Sequence, residues 1–289
     1  MRLATFTHGG TTRAGVVVDD EVVDLGPSEM TALLAAGLER VAEAAAKTRA
    51  RLPLQSVRLE APVLRPPKFL AVGLNYADHV AESGAERPAL PTFFNKQSTC
   101  VTGPYDPIHR PRVSPLLDYE GELGFVIGRR CRHVPRARAA EAIAGWVVLN
   151  DVTVRDWQLR VPTWTMGKSF DTHGPMGPWI VTADELGDPH ALRLRTWVNG
   201  ELRQDATTAD LIFGIDELVA FLSETHTLSP GDLILTGTPA GVGVAMDPPQ
   251  FLQTGDVVRI EVEGLGWIEH AVEAAPEPST PSAARSRGR

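Results

Sequence analysis

The 289-residue chain carries 28 Lys and Arg against 36 Asp and Glu, a net charge of −8, with 43% hydrophobic residues. That balance argues against a nucleic-acid or anionic-membrane surface, and no run approaches the ~18 apolar residues of a membrane span. The first ten residues lack the apolar stretch of a signal peptide. The two cysteines, Cys100 and Cys131, form neither a disulfide framework nor a metal spacing, so a cytoplasmic protein is expected.

Residues 13–18 and 21–25 read as strands joined by a turn at Asp19-Asp20. Residues 28–50, rich in Ala, Leu, Glu and Arg, predict two short helices, with Ser28 as N-cap and Gly37 as the break. Residues 1–62 form a small α+β unit, too short for an extensive core of its own, and Arg65-Pro66-Pro67 marks its end. Beyond the prolines, 68–73 reads as a buried strand and 75–82 as a short helix. From 92 to 128 short β-type runs alternate with Gly and Pro. Residues 139–144 suggest a helical turn, 145–150 an apolar strand, and 152–160 a helix entered from Asp151. The strand 193–198 runs into Asn199-Gly200, a type I′ turn signal. An amphipathic helix follows at 215–225, then strands at 233–236 and 257–262. The βαβ alternation of a doubly wound sheet is absent, so a mainly β core with α insertions is expected over 63–274. Residues 275–289, rich in Pro, Ser, Ala and Arg, predict a disordered tail.

The run Asp118-Tyr119-Glu120-Gly121-Glu122 enters an apolar strand. On one strand Asp118, Glu120 and Glu122 share a face, with Leu123, Phe125 and Ile127 opposite. Like charges so placed destabilise a strand unless neutralised, and a hard divalent cation does that through oxygen. A solvated acidic edge is the plainer reading. Asp151, at the end of an apolar strand, reads as a helix N-cap or as a third carboxylate completing an oxygen shell with Glu120 and Glu122. His79 and Glu82 share a helix face, either as a surface pair or as an imidazole oriented by a carboxylate. Residues 167–169 end like a phosphate-binding loop, but Pro162 stands where its first glycine belongs. That removes a nucleotide and leaves Lys168 as a surface lysine or a cation for a developing oxyanion. In 237–243, successive amides and the Thr238 hydroxyl either cradle an anion or make a tight turn. His109, His133, His173, His190, His226 and His270 show no ligand spacing, and neither a G-x-S-x-G elbow nor an H-E-x-x-H helix occurs.

Taken in order, Gly-Leu-Asn-Tyr-Ala-Asp-His-Val-Ala-Glu (73–82), Asp-Tyr-Glu-Gly-Glu-Leu (118–123), Leu-Asn-Asp-Val-Thr-Val-Arg-Asp-Trp-Gln (149–158), Gly-Lys-Ser-Phe-Asp-Thr (167–172) and Gly-Thr-Pro-Ala-Gly-Val-Gly (237–243) resemble the fumarylacetoacetate hydrolase superfamily. The likeness is to its bacterial acylpyruvase and 2-hydroxyhepta-2,4-diene-1,7-dioate isomerase branch. It implies a mixed β-sandwich roll with a small α+β N-terminal domain, usually as a homodimer. It implies Glu120, Glu122 and Asp151 as ligands of Mg²⁺ or Mn²⁺ (Ca²⁺ in some members), with Asp118 behind them. His79 and Glu82 would be the water-activating pair and Lys168 the cation near the substrate oxygens. Arg155, Gln158 and Thr238 would contact substrate, and Tyr76 and Gly237 are candidates from the same motifs. Only three tyrosines are present, and Pro162 follows Gln158 where the eukaryotic namesake has an active-site tyrosine. This points away from fumarylacetoacetate itself.

The activity so implied is metal-dependent hydrolysis of a C–C bond in a small 2,4-dioxo acid, an acylpyruvate. Oxaloacetate-type decarboxylation, dienoate isomerisation or decarboxylation, and ligand binding without catalysis are the alternatives. The partner is a small oxo acid. The substituent beyond the diketone falls to residues 76–92, 160–166 and 242–250, and Trp157, Trp164 and Phe251 permit an apolar or aromatic one.

Overall fold

The computed structural model describes residues 1–277. Its first three strands, β1 (Arg2–His8), β2 (Thr11–Val18) and β3 (Glu21–Asp24), form an antiparallel meander. The turn at Asp19 sits at φ 50°, a left-handed conformation that Asp tolerates. Helices α1 (Met30–Ala36) and α2 (Leu38–Lys47) meet at Gly37, whose φ of 100° favours glycine. The cap of α1 is Glu29, not Ser28, and no side chain bonds there. Strand β4 (Arg51–Pro53) returns to β3.

The rest of the chain supplies β5 (Phe69–Gly73), α3 (Ala77–Glu82), β6 (Thr92–Asn95), β7 (Gly121–Ile127), β8 (Ile143–Asn150), α4 (Arg155–Gln158) and β9 (Gly174–Val181). It continues with β10 (Arg193–Val198), β11 (Glu201–Thr207), α5 (Ile215–Thr225), β12 (Leu233–Leu235), β13 (Val257–Val262) and β14 (Gly266–Ala274). One long sheet runs β4-β3-β2-β1-β9-β8-β7-β12-β5-β6. A second runs β11-β10-β13-β14 and is extended by Ile108–Arg110. Side chains alternate across a strand, so β7 serves two cores. Leu123, Phe125 and Ile127 pack with Leu194, Val258 and Ile260 of the second sheet. Val126, on the other face, joins Val147 and Leu149 with Leu3, Met30 and Leu34 from the N-terminal unit. Leu3 pairs with Ile180, so that unit extends the main sheet and shares its apolar core. This is the mainly β sandwich expected, with few helices.

Three local expectations change. Residues 118–127 are not one strand: Leu117–Asp118 pairs with Thr153–Val154, and β7 begins only at Gly121. Asp118 is thereby taken off the face of Glu122, because its carboxylate is fully engaged elsewhere, as described below. The helix expected over 152–160 is reduced to the single turn α4, since Thr153–Val154 is held extended by that pairing. Residues Arg136–Ala142 form a 3-10 segment, and Ile143 already belongs to β8. From 278 onward the expected tail lies outside the described residues; before it, Ala275 N bonds Arg110 O at 3.1 Å. Among the described residues no helix is long and apolar enough to cross a membrane.

Candidate metal and catalytic site

The antiparallel register of β7 and β8 sets Gly121 opposite Asn150, so the start of one strand and the end of the other deliver their acids to one place. Asn150 Oδ1 accepts from Glu120 N at 3.0 Å and Asp151 N donates to Glu120 O at 2.9 Å, which fixes the crossing. Ligand atoms of Glu120, Glu122 and Asp151 then lie within 4.8 Å of one another, and all three residues are buried. Asp151 does not cap α4, whose cap is Val154. Its Oδ2 accepts from Lys168 Nζ at 2.7 Å and its Oδ1 from Lys96 Nζ at 2.7 Å. Lys168 also donates to Glu120 Oε2 at 2.6 Å, and Arg155 Nη1 to Glu120 Oε1 at 2.6 Å. Burial alone would raise Glu120, but Lys168 and Arg155 hold its carboxyl down at about 2.

Glu122 differs. It accepts Gly237 N at 2.8 Å, and no ion pair reaches it among the described residues. Burial, then Asp151 and Glu120, push its carboxyl well above the usual range. Asp118, Glu120, Glu122 and Asp151 thus face three buried cations, Lys96, Arg155 and Lys168, and Glu122 is the acid of the four without an ion-pair partner among the described residues. Carboxylate oxygens keep a second lone pair after one hydrogen bond. Three crowded carboxyl groups whose mutual repulsion raises Glu122 therefore fit a hard divalent cation, which would favour the charged form of all three.

Across the cavity, Asn75 fixes the entry to α3 by bonding Phe213 O and Thr236 O through Nδ2 and accepting Phe213 N at Oδ1. The helix presents His79, whose Nδ1 lies 2.7 Å from Glu82 Oε1. His79, Glu82, the three acids and Lys168 line one cavity of about 400 Å³. Of the expected substrate contacts, Arg155, Gln158 and Thr238 also line it, whereas Tyr76 and Gly237 do not. Tyr76 stands before α3 in extended backbone, bridges to Leu211, and is wholly buried.

The 237–243 loop also departs from the expected anion cradle. Its amides serve the protein's own acids: Gly237 N to Glu122, Gly241 N to Glu82 at 2.9 Å, and Gly243 N to Asp118 at 2.9 Å. The Thr238 hydroxyl donates to Gly121 O at 3.0 Å and accepts from Gln204 Nε2, so its proton is committed. Asp118 takes Arg155 Nε at 2.8 Å and Val244 N at 2.9 Å besides, which places it behind Arg155 rather than among the three crowded acids. Lys96 was not visible as a site residue. Its only signal is a lysine directly after β6, and its role depends on Asp151, Lys168 O and His173 O, all distant in sequence.

Residues 68–273 match the family described as Fumarylacetoacetate (FAA) hydrolase C-terminal, and residues 1–62 match Rv2993c-like, N-terminal. The chain belongs to the fumarylacetoacetate hydrolase family. Its relatives in this family are enzymes of several kinds. Oxaloacetate tautomerase fahd2, mitochondrial, of Xenopus laevis is 39% identical over 287 residues, covering 94% of this chain and 90% of the relative. Maleylpyruvate hydrolase from Sphingobium sp. SYK-6, solved with manganese(II) and pyruvate, is 36% identical with a TM-score of 0.79, over 96% of this chain and 100% of that one. The 2-hydroxyhepta-2,4-diene-1,7-dioate isomerase of Mycobacterium marinum is 35% identical with a TM-score of 0.76, over 95% and 98%.

Proposed function

We propose that this family member is a divalent-metal-dependent hydrolase that cleaves a small 2,4-dioxo acid, an acylpyruvate, into pyruvate and a carboxylic acid. The observation that carries this reading is the His79–Glu82 pair facing three crowded carboxylates across one cavity. Mg²⁺ or Mn²⁺ held by Glu120, Glu122 and Asp151 supplies Lewis acidity toward the 2-oxo acid end.

The side chains account for the rest. Glu82 engages His79 Nδ1, so Nε2 is the nitrogen left to take a proton from water. The resulting hydroxide attacks the distal carbonyl, and the bond to the adjacent carbon breaks with its electron pair moving into the pyruvate enolate. The Lys168 ammonium supports the negative charge there. The proton on His79 returns to the enolate carbon, giving pyruvate. Arg155 Nη1 donates to Gln158 Oε1 at 3.1 Å, which leaves the Gln158 amide NH₂ to hold the substrate carboxylate. A homodimer is part of the same reading, and a monomeric mass in sedimentation would remove it. With Mn²⁺ present, acylpyruvates should lose their diketone absorbance as pyruvate appears; no loss with any of them sinks the hydrolase reading.

A second reading has a specific support in the 39% identical oxaloacetate tautomerase. Moving a proton between the enol and keto forms of a 2-oxo diacid needs His79 but no attacking water. Loss of the enol absorbance of oxaloacetate without release of pyruvate would favour it.

A further inference from the structure

We infer that the far end of the cavity selects an uncharged, apolar acyl group, and that Trp164 is the residue that sets this preference. The inference rests on the acid end of the substrate lying at Glu120, Glu122 and Asp151, as in the reading above. Among the described residues that line the cavity, the Arg and Lys side chains are Arg155 and Lys168. Both are already held: Arg155 by Asp118 and Glu120, Lys168 by Glu120 and Asp151. What positive charge they leave lies at the acid end. The apolar part of the lining is made by Leu74, Phe94, Leu159, Trp164, Val242 and Val244. Leu159 is 75% exposed and Val244 38%, so apolar surface stands uncovered at the mouth.

Trp164 is pinned in this wall. A Cβ on Gly73 would overlap its ring, so the glycine is what allows the indole to lie against β5. Phe94 meets the ring edge-on with centroids 5.6 Å apart. Its backbone φ is 59°, a conformation a bulky residue keeps only where its surroundings hold it. Phe94 shares this apolar lining with Trp164, whereas Trp157 packs on Phe170 and under Arg160. A second carboxylate pushed against Leu159, Trp164 and Val242 would lose its water without gaining a cation. Each apolar methylene placed there gains about four-fold in affinity. A carboxylate-tipped acyl chain is thus disfavoured here, whatever the relatives accept.

The test uses the Mn²⁺-loaded full chain, wild type, Trp164→Phe and Trp164→Ala. The substrates are acylpyruvates with an acetyl, a branched or aromatic acyl, and a carboxylate-ended acyl group. The expected result is kcat/KM about ten-fold or more higher for the large apolar group than for the carboxylate-ended one, the value of two or more buried methylenes. Trp164→Ala should remove most of that preference, and Trp164→Phe should keep it. Equal or better use of the carboxylate-ended substrate overturns the inference, as does a Trp164→Ala variant that slows all three alike. Should no acylpyruvate be cleaved, the hydrolase reading fails by itself. The wall is still read from Mn²⁺-dependent thermal shifts, which should be larger with 4-methyl-2-oxopentanoate than with 2-oxoglutarate. The reverse order overturns the inference without reference to turnover.

Discussion

The Lys96 ammonium lies 2.7 Å from Asp151 Oδ1 and holds that carboxylate from below, while Lys168 holds its other oxygen. Lys96 also donates to the backbone carbonyls of Lys168 and His173. One buried cation therefore sets both the acid and the chain segment that carries the second lysine. Replacing Lys96 with Met leaves a buried carboxylate oxygen and two carbonyls without their donor. Urea denaturation of the metal-free protein should show a loss of about 3–5 kcal/mol, as for a broken buried ion pair. Titration with Mn²⁺ should show about 10–100-fold weaker binding from the misplaced Asp151.

Glu122 lacks a cation where its two neighbours have one or more. Glu122→Gln removes the group whose charged form burial, Asp151 and Glu120 oppose, and should stabilise the metal-free protein. In differential scanning calorimetry its midpoint should rise by a few degrees without metal. The further rise that Mn²⁺ gives the wild type should vanish. A variant that is less stable without metal, or that keeps the Mn²⁺ response, would contradict the assignment of Glu122 as a ligand.

His79→Ala separates chemistry from metal binding. Among the described residues the His79 side chain hydrogen-bonds Glu82 and none of the three acids, so Mn²⁺-dependent stabilisation should be retained. Acylpyruvate hydrolysis should fall by about 10²–10⁴-fold, the range for loss of a positioned general base. Glu82→Gln should cause a smaller fall, because its amide still accepts a hydrogen bond from Gly241 but no longer favours the charged imidazole.

Acid should weaken the fold through histidines outside the site. His270 is fully buried, its Nδ1 lies 3.0 Å from Asp106 O, and burial lowers its pKa from 6.5 to about 4. Above pH 6.5 the imidazole is neutral in both states and its contribution is complete. Between pH 6.5 and 4 the unfolded chain takes up a proton that the folded chain refuses. Stability then declines by up to about 1.4 kcal/mol per pH unit for this one group. His270→Gln should flatten that slope when urea midpoints are compared at pH 5 and pH 7.

The parts of this architecture that depend on local pattern could be read directly. The β1–β3 meander and α5 follow from side-chain period, and the turn residues at Asp19 and Gly37 stand where the chain needs positive φ. Glu120 and Glu122 were legible because like charges two apart at the entry to an apolar strand demand an explanation. Asp151 and His79 were legible as types but not as partners, since strand register brings the acids together and nothing local reports it. The break between Asp118 and β7 was hidden because Arg155 and Val244, which draw Asp118 away, lie 37 and 126 residues further on. Lys96 was hidden for the same reason. The loop at 237–243 stayed open between an anion cradle and a tight turn because the sequence cannot show which donors the fold has already used.

Those amides have a dynamic consequence. Gly237, Gly241 and Gly243 reach acids carried by β7, by α3 and by the segment before β7, so one short span fastens three separately built pieces. If that span opens, the base, a ligand and the Arg155 anchor are released in the same event. The site should then be lost as a unit, and hydrogen exchange at the three glycine amides should proceed with one common opening free energy. Occupancy by Mn²⁺ at Glu122 should slow exchange even at Gly241 and Gly243, which touch no ligand.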